Sequence, residues 1–443
     1  MILEGWGRYP RLVSEVFDCR TSADAAEAVA KRHGVIARGN GRSYGDAALG
    51  DVATLICRGI GRMKRFDPQT LLLTVEAGVM LSDILDAFIP RGYFPPVVPG
   101  TKFVTVGGMI ASDVHGKNHH RDGGFGAHVA SFKLIMGDGE VLNCSRNENV
   151  DLFFATIGGM GLTGVITEAS FYMKPIETGW INQKTIVADD LEEALAALQA
   201  ADESSYSVAW IDCLARGASL GRSLIFVGEH AKREQVVAHK AERELFPSPT
   251  RPRLSLPMDL PAWALNRTSV SAFNGAYFRA GVRKSGAPSL VHWNPYFFPL
   301  DGIHQWNRLY GRSGFLQHQC VVPDTNALAV LGEILQRFAA SGKGSFLAVL
   351  KKLGPGTGLL SFPMAGYTLA LDLPVTEDVF PLLEEIDKVV VDAGGRLYLA
   401  KDARQSRLTF EAGYPQLAAF RDIRRATGGD AHFASRLATR LGI

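Results

Sequence analysis

The chain has 443 residues, of which 47% are hydrophobic and 21% charged, and its formal net charge is +2. This length and composition exclude a disordered or fibrous protein and predict two or three domains with large cores. The small net charge, without an obvious basic stripe, excludes a general nucleic-acid-binding protein. Five scattered cysteines without CxxC spacing and the lack of a long apolar run predict a reduced, cytoplasmic protein.

The first predicted elements alternate between helices and strands. Ser22 is a candidate N-cap for an alanine-rich helix, and the strand-like VIARG at 35–39 leads into the glycine-rich segment RGNGRSYGD at 38–46. LLLTVEAG at 71–78 predicts a further strand, and apolar residues at helical spacing over 81–88 predict a second helix. This order is typical of an α+β nucleotide-binding domain.

Two segments carry the strongest chemical signal. The three glycines of RGNGRSYGD free the backbone, so that several N–H groups can point at one anion such as a pyrophosphate. In VTVGGMIASDVHGKNHH at 104–120, paired glycines leave room for a flat ring, while His115 and Lys117 supply a titratable group and a cation. Either segment alone is typical of an ordinary turn, but together they predict a two-part flavin site.

The segment GGMGLTG at 158–164 satisfies the GxGxxG pattern through Gly159, Gly161 and Gly164. It follows a predicted helix and leads into the predicted strand VITEASFYM at 165–173, whereas the dinucleotide fingerprint follows a strand and opens a helix. We therefore interpret it as a turn of the flavin domain and not as a nicotinamide site.

The chain from 179 to 395 has a different pattern, with long helical segments such as 190–200 separated by strands such as 206–214 and 368–375. Within it, the proline-rich segment 246–263 predicts a long loop. Its apolar residues, which include Trp263, either pack as a lid, the reading we favour, or contact a lipid tail or membrane surface.

The motifs GRSYGD, PGTKFVTVGGMIASDVHGKNHH and LFFATIGGMGLTGVI resemble the vanillyl-alcohol-oxidase type of FAD-dependent oxidoreductase, which has a PCMH-type FAD-binding domain. The likeness continues through SFLAVLKKLGP and GGRLYLAKDAR, and is strongest to the branch of decaprenylphosphoryl-β-D-ribose epimerase oxidase subunits. It implies an α+β, two-domain flavoprotein. The FAD-binding domain would cover 1–178, a substrate-binding domain built on an antiparallel sheet 179–395, and a C-terminal return to the FAD-binding domain 396–443.

The resemblance also implies the cofactor site. Arg42 stands where relatives with covalently attached flavin carry a histidine, so we expect FAD to bind non-covalently. The implied FAD contacts are Ala37, Arg38, Gly39, Asn40, Gly41, Arg42, Ser43, Tyr44, Gly45, Asp46, Ala47, Gly100, Thr105, Val106, Gly107, Gly108, Ser112, Asp113, Val114, His115, Ile166 and Tyr398.

Lys401 is the expected catalytic partner of the substrate hydroxyl, and His115 is expected to support it at the flavin. Gln317 and Gln319 alternate in a predicted strand and therefore share a face. For the lysines, solvated surface groups are the alternative reading. The histidines of HGKNHH lack a carboxylate partner, so no metal site is expected. The expected substrate-binding residues are Lys117, Gln317, Gln319, Lys351 and Lys401.

The implied activity is the FAD-dependent oxidation of the 2′-hydroxyl of a polyprenyl-phosphoryl-β-D-ribose to the 2′-keto sugar, the first half of epimerisation to the arabinose form in cell-envelope polysaccharide biosynthesis. A separate NADH-dependent keto-sugar reductase and peripheral contact with the inner membrane are the expected partners. The alternatives are an oxygen-using aldonolactone or polyol oxidase and a non-catalytic flavin-binding protein. Phe297 and Phe298 replace a tyrosine and a histidine of the family, and Ala370 replaces a cysteine, so the exact sugar and lipid stay open.

Overall fold

The protein is described by a computed structural model that covers residues 1–239, 244–250, 254–261 and 264–443. Trp263, one of the apolar residues of the predicted loop, lies outside the described residues.

Residues 1–178 carry short strands and five short helices. The strands are β1 (Ile2–Glu4), β2 (Arg11–Val13), β3 (Glu15–Asp18), β4 (Val35–Arg38), β5 (Ala53–Ile56), β6 (Met63–Asp67), β7 (Leu72–Glu76), β8 (Tyr93–Phe94), β9 (Val129–Ile135), β10 (Val141–Ser145), β11 (Val165–Tyr172) and β12 (Lys174–Pro175). The helices are α1 (Ser22–Ala30), α2 (Leu81–Phe88), α3 (Val106–Ala111), α4 (His119–Asp122) and α5 (Val150–Thr156).

These strands form two main sheets. A parallel three-stranded sheet has the order β3-β5-β4, and an antiparallel five-stranded sheet has the order β10-β9-β11-β7-β6. Helix α2 buries Leu81, Ile84, Leu85 and Phe88, the residues whose spacing predicted it.

The N-terminal cap of α1 differs from the prediction. Thr21, not Ser22, is the N-cap, and its side chain accepts from the Asp24 N–H while the Asp24 carboxylate accepts from the Thr21 N–H. This reciprocal pair is a capping box, which requires an acceptor three residues after the cap. Asp24 stands at that spacing from Thr21, whereas the residue at that spacing from Ser22 is Ala25, so the sequence itself favours Thr21 as the cap.

Residues 179–397 build a larger sheet with helices on it. The strands are β13 (Trp180–Ala188), β14 (Tyr206–Ile211), β15 (Ser223–His230), β16 (Leu254–Ser255), β17 (Ser289–His292), β18 (Ile303–His304), β19 (Phe315–Val322), β20 (Ala348–Leu353), β21 (Gly366–Pro374) and β22 (Arg396–Leu397). The helices are α6 (Leu191–Ala200), α7 (Arg233–His239), α8 (Arg267–Val282), α9 (Trp293–Phe297), α10 (Ala327–Ser341) and α11 (Val379–Asp392).

Eight of these strands pair in the order β17-β13-β15-β14-β20-β21-β19-β22, and every neighbouring pair is antiparallel. One face of this sheet packs on α6, α10 and α11 through a buried apolar cluster. The predicted α+β class with an antiparallel second sheet is therefore confirmed. The exact domain boundaries at 178 and 395 stay predictions.

The chain ends with α12 (Arg407–Gly413), α13 (Leu417–Ala426), α14 (Gly429–His432) and α15 (Arg436–Leu441). The backbone before and at the start of α15 is hydrogen-bonded to the first region, from the Ala434 N–H to the Val35 carbonyl at 3.0 Å and from the Arg436 N–H to the Leu49 carbonyl at 2.7 Å. The tail thus lies next to the glycine-rich segment that follows β4.

Along the described parts of the chain, no helix combines the length and the apolar character needed to cross a membrane. In the described part of 246–263, the only regular element is β16, which pairs in parallel with β18. The remainder of that described part is irregular, as the prolines predicted.

Candidate active site

A cavity lies between the two glycine-rich segments and the open face of the eight-stranded sheet. Eight glycines contribute to its wall: Gly39, Gly41, Gly78, Gly100, Gly107, Gly108, Gly161 and Gly164. Gly161 and Gly164 belong to the GGMGLTG segment, which lies between helix α5 and strand β11 as predicted. This segment is therefore a part of the cavity wall and not the opening of a helix.

The glycines let backbone segments approach one another closely. A methyl group at Gly39 would stand 2.2 Å from Thr105 Oγ1, which joins the first glycine-rich segment directly to the second. Gly41 has φ +62°, a conformation that other residues adopt only with strain. This part of the wall therefore consists of backbone rather than side chains, as a cradle for a flat, anionic cofactor requires.

Most of the predicted FAD contacts line this cavity. They are Ala37, Arg38, Gly39, Asn40, Gly41, Arg42, Ser43, Tyr44, Ala47, Gly100, Thr105, Gly107, Gly108, Ser112, Val114, His115, Ile166 and Tyr398.

The four other predicted contacts lie behind the wall. Val106 is fully buried in the apolar core. The Asp113 carboxylate, at a residue with φ +37°, accepts from the Gly126 N–H at 3.0 Å and the Ser361 hydroxyl at 2.5 Å, so it braces the loop. Gly45 lies against the loop that carries Lys401, and the Asp46 carboxylate accepts from Arg440 Nε at 3.0 Å.

Arg42, the residue that replaces the family's histidine, stacks on an aromatic ring. Its guanidinium carbon lies 3.8 Å from the Trp6 ring centroid, and Trp6 also lines the cavity. Burial lowers the pKa of Arg42, but a guanidinium stays charged at any physiological pH. A cation packed over a ring in this way is a fixed positive group at the cofactor end of the cavity.

The other end of the cavity is lined by polar side chains from the sheet. Gln317 and Gln319 of β19, Lys351 of β20 and Lys401 in the loop after β22 all face the cavity. Strand alternation explains the arrangement, because His318 lies on the opposite face and is hydrogen-bonded to Asp387 of α11 at 3.1 Å. The structure brings these four side chains together at one end of the cavity.

The alternation also separates two adjacent lysines. Lys351 faces the cavity, whereas the Lys352 ammonium lies 2.6 Å from the Asp202 carboxylate on the other side of the strand. The prediction that Lys352 faces elsewhere is confirmed.

Lys117 lies beside this basic end but outside the cavity lining. Its ammonium is 3.5 Å from the Phe297 carbonyl and 5.4 Å from the Tyr296 ring centroid. Burial, together with the positive charge of Lys351, lowers the pKa of Lys117 to about 7. Phe297 and Phe298, which stand at the positions of the family's tyrosine and histidine, are both buried. The polar partner that this segment offers to Lys117 is the backbone carbonyl of Phe297.

Protonation of the cavity lysines costs free energy, because burial disfavours the charged ammonium group. Burial lowers the pKa of Lys351 to about 8. Burial also lowers the pKa of Lys401, and the charge of Lys351 adds to this shift, while Asp372 opposes it. A lysine whose pKa is lowered toward neutrality can accept a proton as well as bind an anion.

His115 is a neutral imidazole at the centre of the site. Burial, followed by the charges of Lys351, His119 and Lys401, lowers its pKa well below the ordinary value. The Gln319 amide donates to His115 Nε2 at 3.0 Å, which leaves the proton on Nδ1. Nδ1 has no partner among the residues that the structure describes, so a buried donor is available to a ligand, and the residues fit a bound flavin.

The other two histidines of HGKNHH hold the local backbone. His119 Nδ1 accepts from the Gly354 N–H at 3.0 Å, and His120 Nε2 lies 2.9 Å from the Ser204 carbonyl. Within the described ranges, no group of three or more histidine, cysteine or carboxylate side chains is arranged to hold a metal ion.

The sequence reasoning missed Asp372. Its carboxylate accepts from the Gln317 amide at 2.5 Å, and burial raises its pKa although Gln317 and Lys401 both act to lower it. Asp372 follows Thr368 and Ala370, both in the cavity wall, at a spacing of two along β21. The same alternation that identified Gln317 and Gln319 could have identified it.

Comparison with known proteins agrees with this geometry. Residues 16–145 match the model of an FAD binding domain family. The chain is 38% identical over 450 residues to decaprenylphosphoryl-beta-D-ribose oxidase of Mycolicibacterium smegmatis, which covers 99% of this chain and 97% of that protein. The chain belongs to this family of FAD-dependent oxidases. It is therefore an FAD-dependent oxidoreductase that acts on a CH–OH group.

Other relatives cover the chain differently. An uncharacterized protein encoded in the mprA 5′ region of Streptomyces coelicolor is 36% identical over 82% of this chain and the whole of that protein. Mouse L-gulonolactone oxidase is 30% identical over only 35% of this chain and 36% of its own length. Of the two named matches with an assigned activity, the ribose oxidase therefore spans nearly the whole chain and the L-gulonolactone oxidase about a third of it.

Proposed function

We propose that the enzyme oxidises the 2′-hydroxyl of a polyprenyl-phosphoryl-β-D-ribose to the 2′-keto sugar, the first half of an epimerisation to the arabinose form. The observation that carries this proposal is the convergence of Lys351, Lys401, Gln317 and Gln319 on one end of a cavity whose other end is glycine backbone. Lysines bind phosphate, and amides bind both sugar hydroxyls and phosphate oxygens. The name of the Mycolicibacterium smegmatis relative, a decaprenylphosphoryl-beta-D-ribose oxidase, agrees with a substrate of this kind.

We assign each polar side chain a role in the reaction according to its charge. Lys351, assisted by Lys117 beside it, binds the phosphate, and Gln317 and Gln319 orient the sugar. FAD, when bound, supplies the acceptor for the hydride that leaves C2′. Lys401 takes the proton of the 2′-hydroxyl, because its lowered pKa leaves part of the amine neutral. Neutral His115 keeps its Nδ1 proton and donates it as a hydrogen bond toward the cofactor.

Dissociable FAD follows from the side chain at position 42. The guanidinium of Arg42 cannot form the histidyl bond of covalent flavoproteins, and it is held against Trp6. We expect denaturation of the holoenzyme to release the flavin completely into the soluble fraction.

The keto sugar needs a second enzyme. Epimerisation is complete only when hydride returns to the opposite face of C2′, so we propose that a separate NADH-dependent keto-sugar reductase consumes the product. We also propose that the chain contacts the inner membrane peripherally from the cytoplasm, where a lipid-linked substrate lies. The exposed side chains of Leu254 and Met258, 65% and 68% accessible, support this contact.

The test is anaerobic stopped-flow of the holoenzyme with polyprenyl-phosphoryl ribose, a free polyol and an aldonolactone. We expect the flavin absorbance to bleach with the lipid-linked sugar alone. Bleaching with the polyol or the aldonolactone would instead assign an oxidase of free substrates. No bleaching with any of the three would favour a flavin-binding protein without turnover.

A further inference from the structure

Two loops that serve different ends of the cavity lie against each other. The Tyr44 N–H donates to the Ala400 carbonyl at 2.9 Å. A methyl group at Gly45 would stand 1.9 Å from the Asp402 carbonyl oxygen, so the two backbones are in direct contact. The Lys401 ammonium lies 3.5 Å from the centroid of the Tyr44 ring. The flavin segment and the lysine loop therefore form one packed unit.

Arg440 of α15 joins the two loops from behind. Its Nε and one terminal nitrogen donate to the two Asp46 carboxylate oxygens at 3.0 and 2.9 Å, and the same terminal nitrogen donates to Asp402 Oδ2 at 2.8 Å. The other terminal nitrogen donates to the Gln405 carbonyl at 2.7 Å. Every nitrogen of the guanidinium is thus engaged by one loop or the other.

This ion-pair cluster is buried. The Asp46 and Asp402 side chains are 1% and 4% exposed, and Arg440 is 22% exposed. Burial alone would raise the pKa of Asp402, but Arg440 and Arg404 outweigh it and hold the pKa of this carboxyl below its ordinary value. Removing one member of such a cluster leaves another buried charge unpaired, so the arrangement tolerates little displacement.

The cluster stands outside the reaction itself. Asp46 and Asp402 lie behind the cavity wall, and Arg440 contacts neither the cavity nor Lys401. Asp402 Oδ1 also accepts from the Arg404 and Gln405 N–H groups at 2.9 Å, which fixes the turn immediately after Lys401. A shift of Arg440 is therefore transmitted to both loops.

We propose that Arg440 is a positioning residue that couples FAD binding by the segment 38–47 to the placement of Lys401. The part that concerns Lys401 rests on the proposed function, whereas the part that concerns FAD affinity does not. Because a coupling free energy between two sites is reciprocal, a change on the lysine side must alter FAD binding, and a change on the flavin side must alter Lys401.

The first test reads FAD affinity while the change is made on the lysine side. In Asp402→Asn the remaining oxygen keeps the Arg404 and Gln405 N–H bonds, and the Oδ2 acceptor that ties Arg440 to the lysine loop is lost. We expect the dissociation constant of FAD, measured by flavin fluorescence, to rise about tenfold, within the usual range of coupling between sites. No sugar substrate is needed, so this readout is independent of the proposed function.

A double-mutant cycle isolates the route of the coupling. In an Arg440→Gln background, Asp402→Asn should produce no further loss of FAD affinity, because the connection is already cut. Arg440→Lys retains the charge but not the fork, and should recover only part of the affinity. An Asp402→Asn effect of the same size in both backgrounds, or no effect in either, would overturn the proposal.

The second test reads the lysine side while the change is made on the flavin side. Asp46→Asn replaces one of the two acceptors of the Arg440 fork with a donor and removes the negative charge. In holoenzyme saturated with FAD, we expect the rate of flavin reduction by substrate to fall about tenfold and its pH dependence to shift, since Lys401 is displaced. Unchanged rate and pH dependence at saturating FAD would contradict the coupling to Lys401 while leaving the FAD result intact.

Arg436→Gln is the matched control. Arg436 lies on the same helix and pairs with Asp51 at 3.4 Å, but its side chain is 51% exposed. We expect FAD affinity and reduction rate to stay as in the wild type, because an exposed pair contributes little. A loss in Arg436→Gln as large as in Arg440→Gln would attribute the effect to α15 as a whole and refute the specific role of Arg440.

Discussion

At one end of the cavity the wall is glycine backbone from short segments near the N-terminus, whereas at the other end it is charged and amide side chains from β19, β20 and the loop after β22. The glycine end has closely approaching backbones, such as Gly39 against Thr105. The polar end has side chains whose pKa values are displaced by burial, such as Lys351.

The difference separates two kinds of recognition. A backbone cradle is specific for shape and for a ubiquitous group such as a pyrophosphate, so it is shared widely among FAD proteins. Side chains on strands can be exchanged one at a time without disturbing the sheet hydrogen bonds, so we expect them to determine which alcohol reacts.

The largest effect is expected at the polar end. Lys401→Met removes the proposed proton acceptor while keeping the apolar stem, and general acid–base catalysis contributes about 10²–10⁴ in rate. We expect flavin reduction at saturating substrate to slow by about a thousandfold, with FAD content unchanged, in anaerobic stopped-flow. A wild-type rate would show that Lys401 has no part in proton transfer.

A substitution at the glycine end should instead weaken FAD binding. In Gly39→Ala the new methyl group meets Thr105 Oγ1, and the overpacking separates the two flavin segments. We expect FAD affinity to fall about a hundredfold, in line with a cost of about 3 kcal/mol. Gly302→Ala, where nothing lies within 4 Å of the new methyl group, is the control and should bind FAD normally in the same titration.

The two adjacent lysines of β20 test the assignment of faces. Lys351→Met should raise KM for the phosphorylated substrate about tenfold to a hundredfold, as expected for a lost charge-assisted hydrogen bond, with a smaller change in kcat. Lys352→Met removes an ion pair with Asp202 on the outer face and should leave both constants close to those of the wild type. Equal effects of the two substitutions would contradict the proposed phosphate site.

The smallest expected effect is the uptake of protons by the enzyme when a phosphate binds. Burial lowers the pKa of Lys351 to about 8 and, with the charge of Lys351, that of Lys117 to about 7, so at pH 8 both are partly neutral. A bound phosphate raises both pKa values, and the holoenzyme should take up about one proton per ribose 1-phosphate at pH 8. Below pH 6 both lysines are already charged and uptake should vanish. Calorimetry in buffers of different ionisation enthalpy measures this, and proton release would contradict it.

The parts of the site that follow from local sequence were predictable. The alternation of Gln317 and Gln319, the opposite faces of Lys351 and Lys352, and the position of GGMGLTG between a helix and a strand all depend on neighbouring residues. The cap of α1 at Thr21 also follows from local sequence, because Asp24 stands three residues later at the capping-box spacing.

The parts that depend on distant chain segments were not predictable in the same way. Arg440 pairs with Asp46, which lies 394 residues away, and with Asp402, and no local pattern marks either pair. In the sequence, the spacing between Asp46 and the glycines would be the same if its carboxylate contacted the cofactor or if it paired with an arginine behind the cavity wall. Only the folded chain distinguishes these two positions.

The most direct test of the central claim is the position from which hydride leaves. Polyprenyl-phosphoryl ribose deuterated at C2′ and the same compound deuterated at C3′ are mixed anaerobically with the holoenzyme, and flavin bleaching is followed. Oxidation of the 2′-hydroxyl predicts a several-fold slower reaction for the C2′-deuterated sugar and an unchanged rate for the C3′-deuterated one. Slowing by deuterium at C3′ alone would contradict the account.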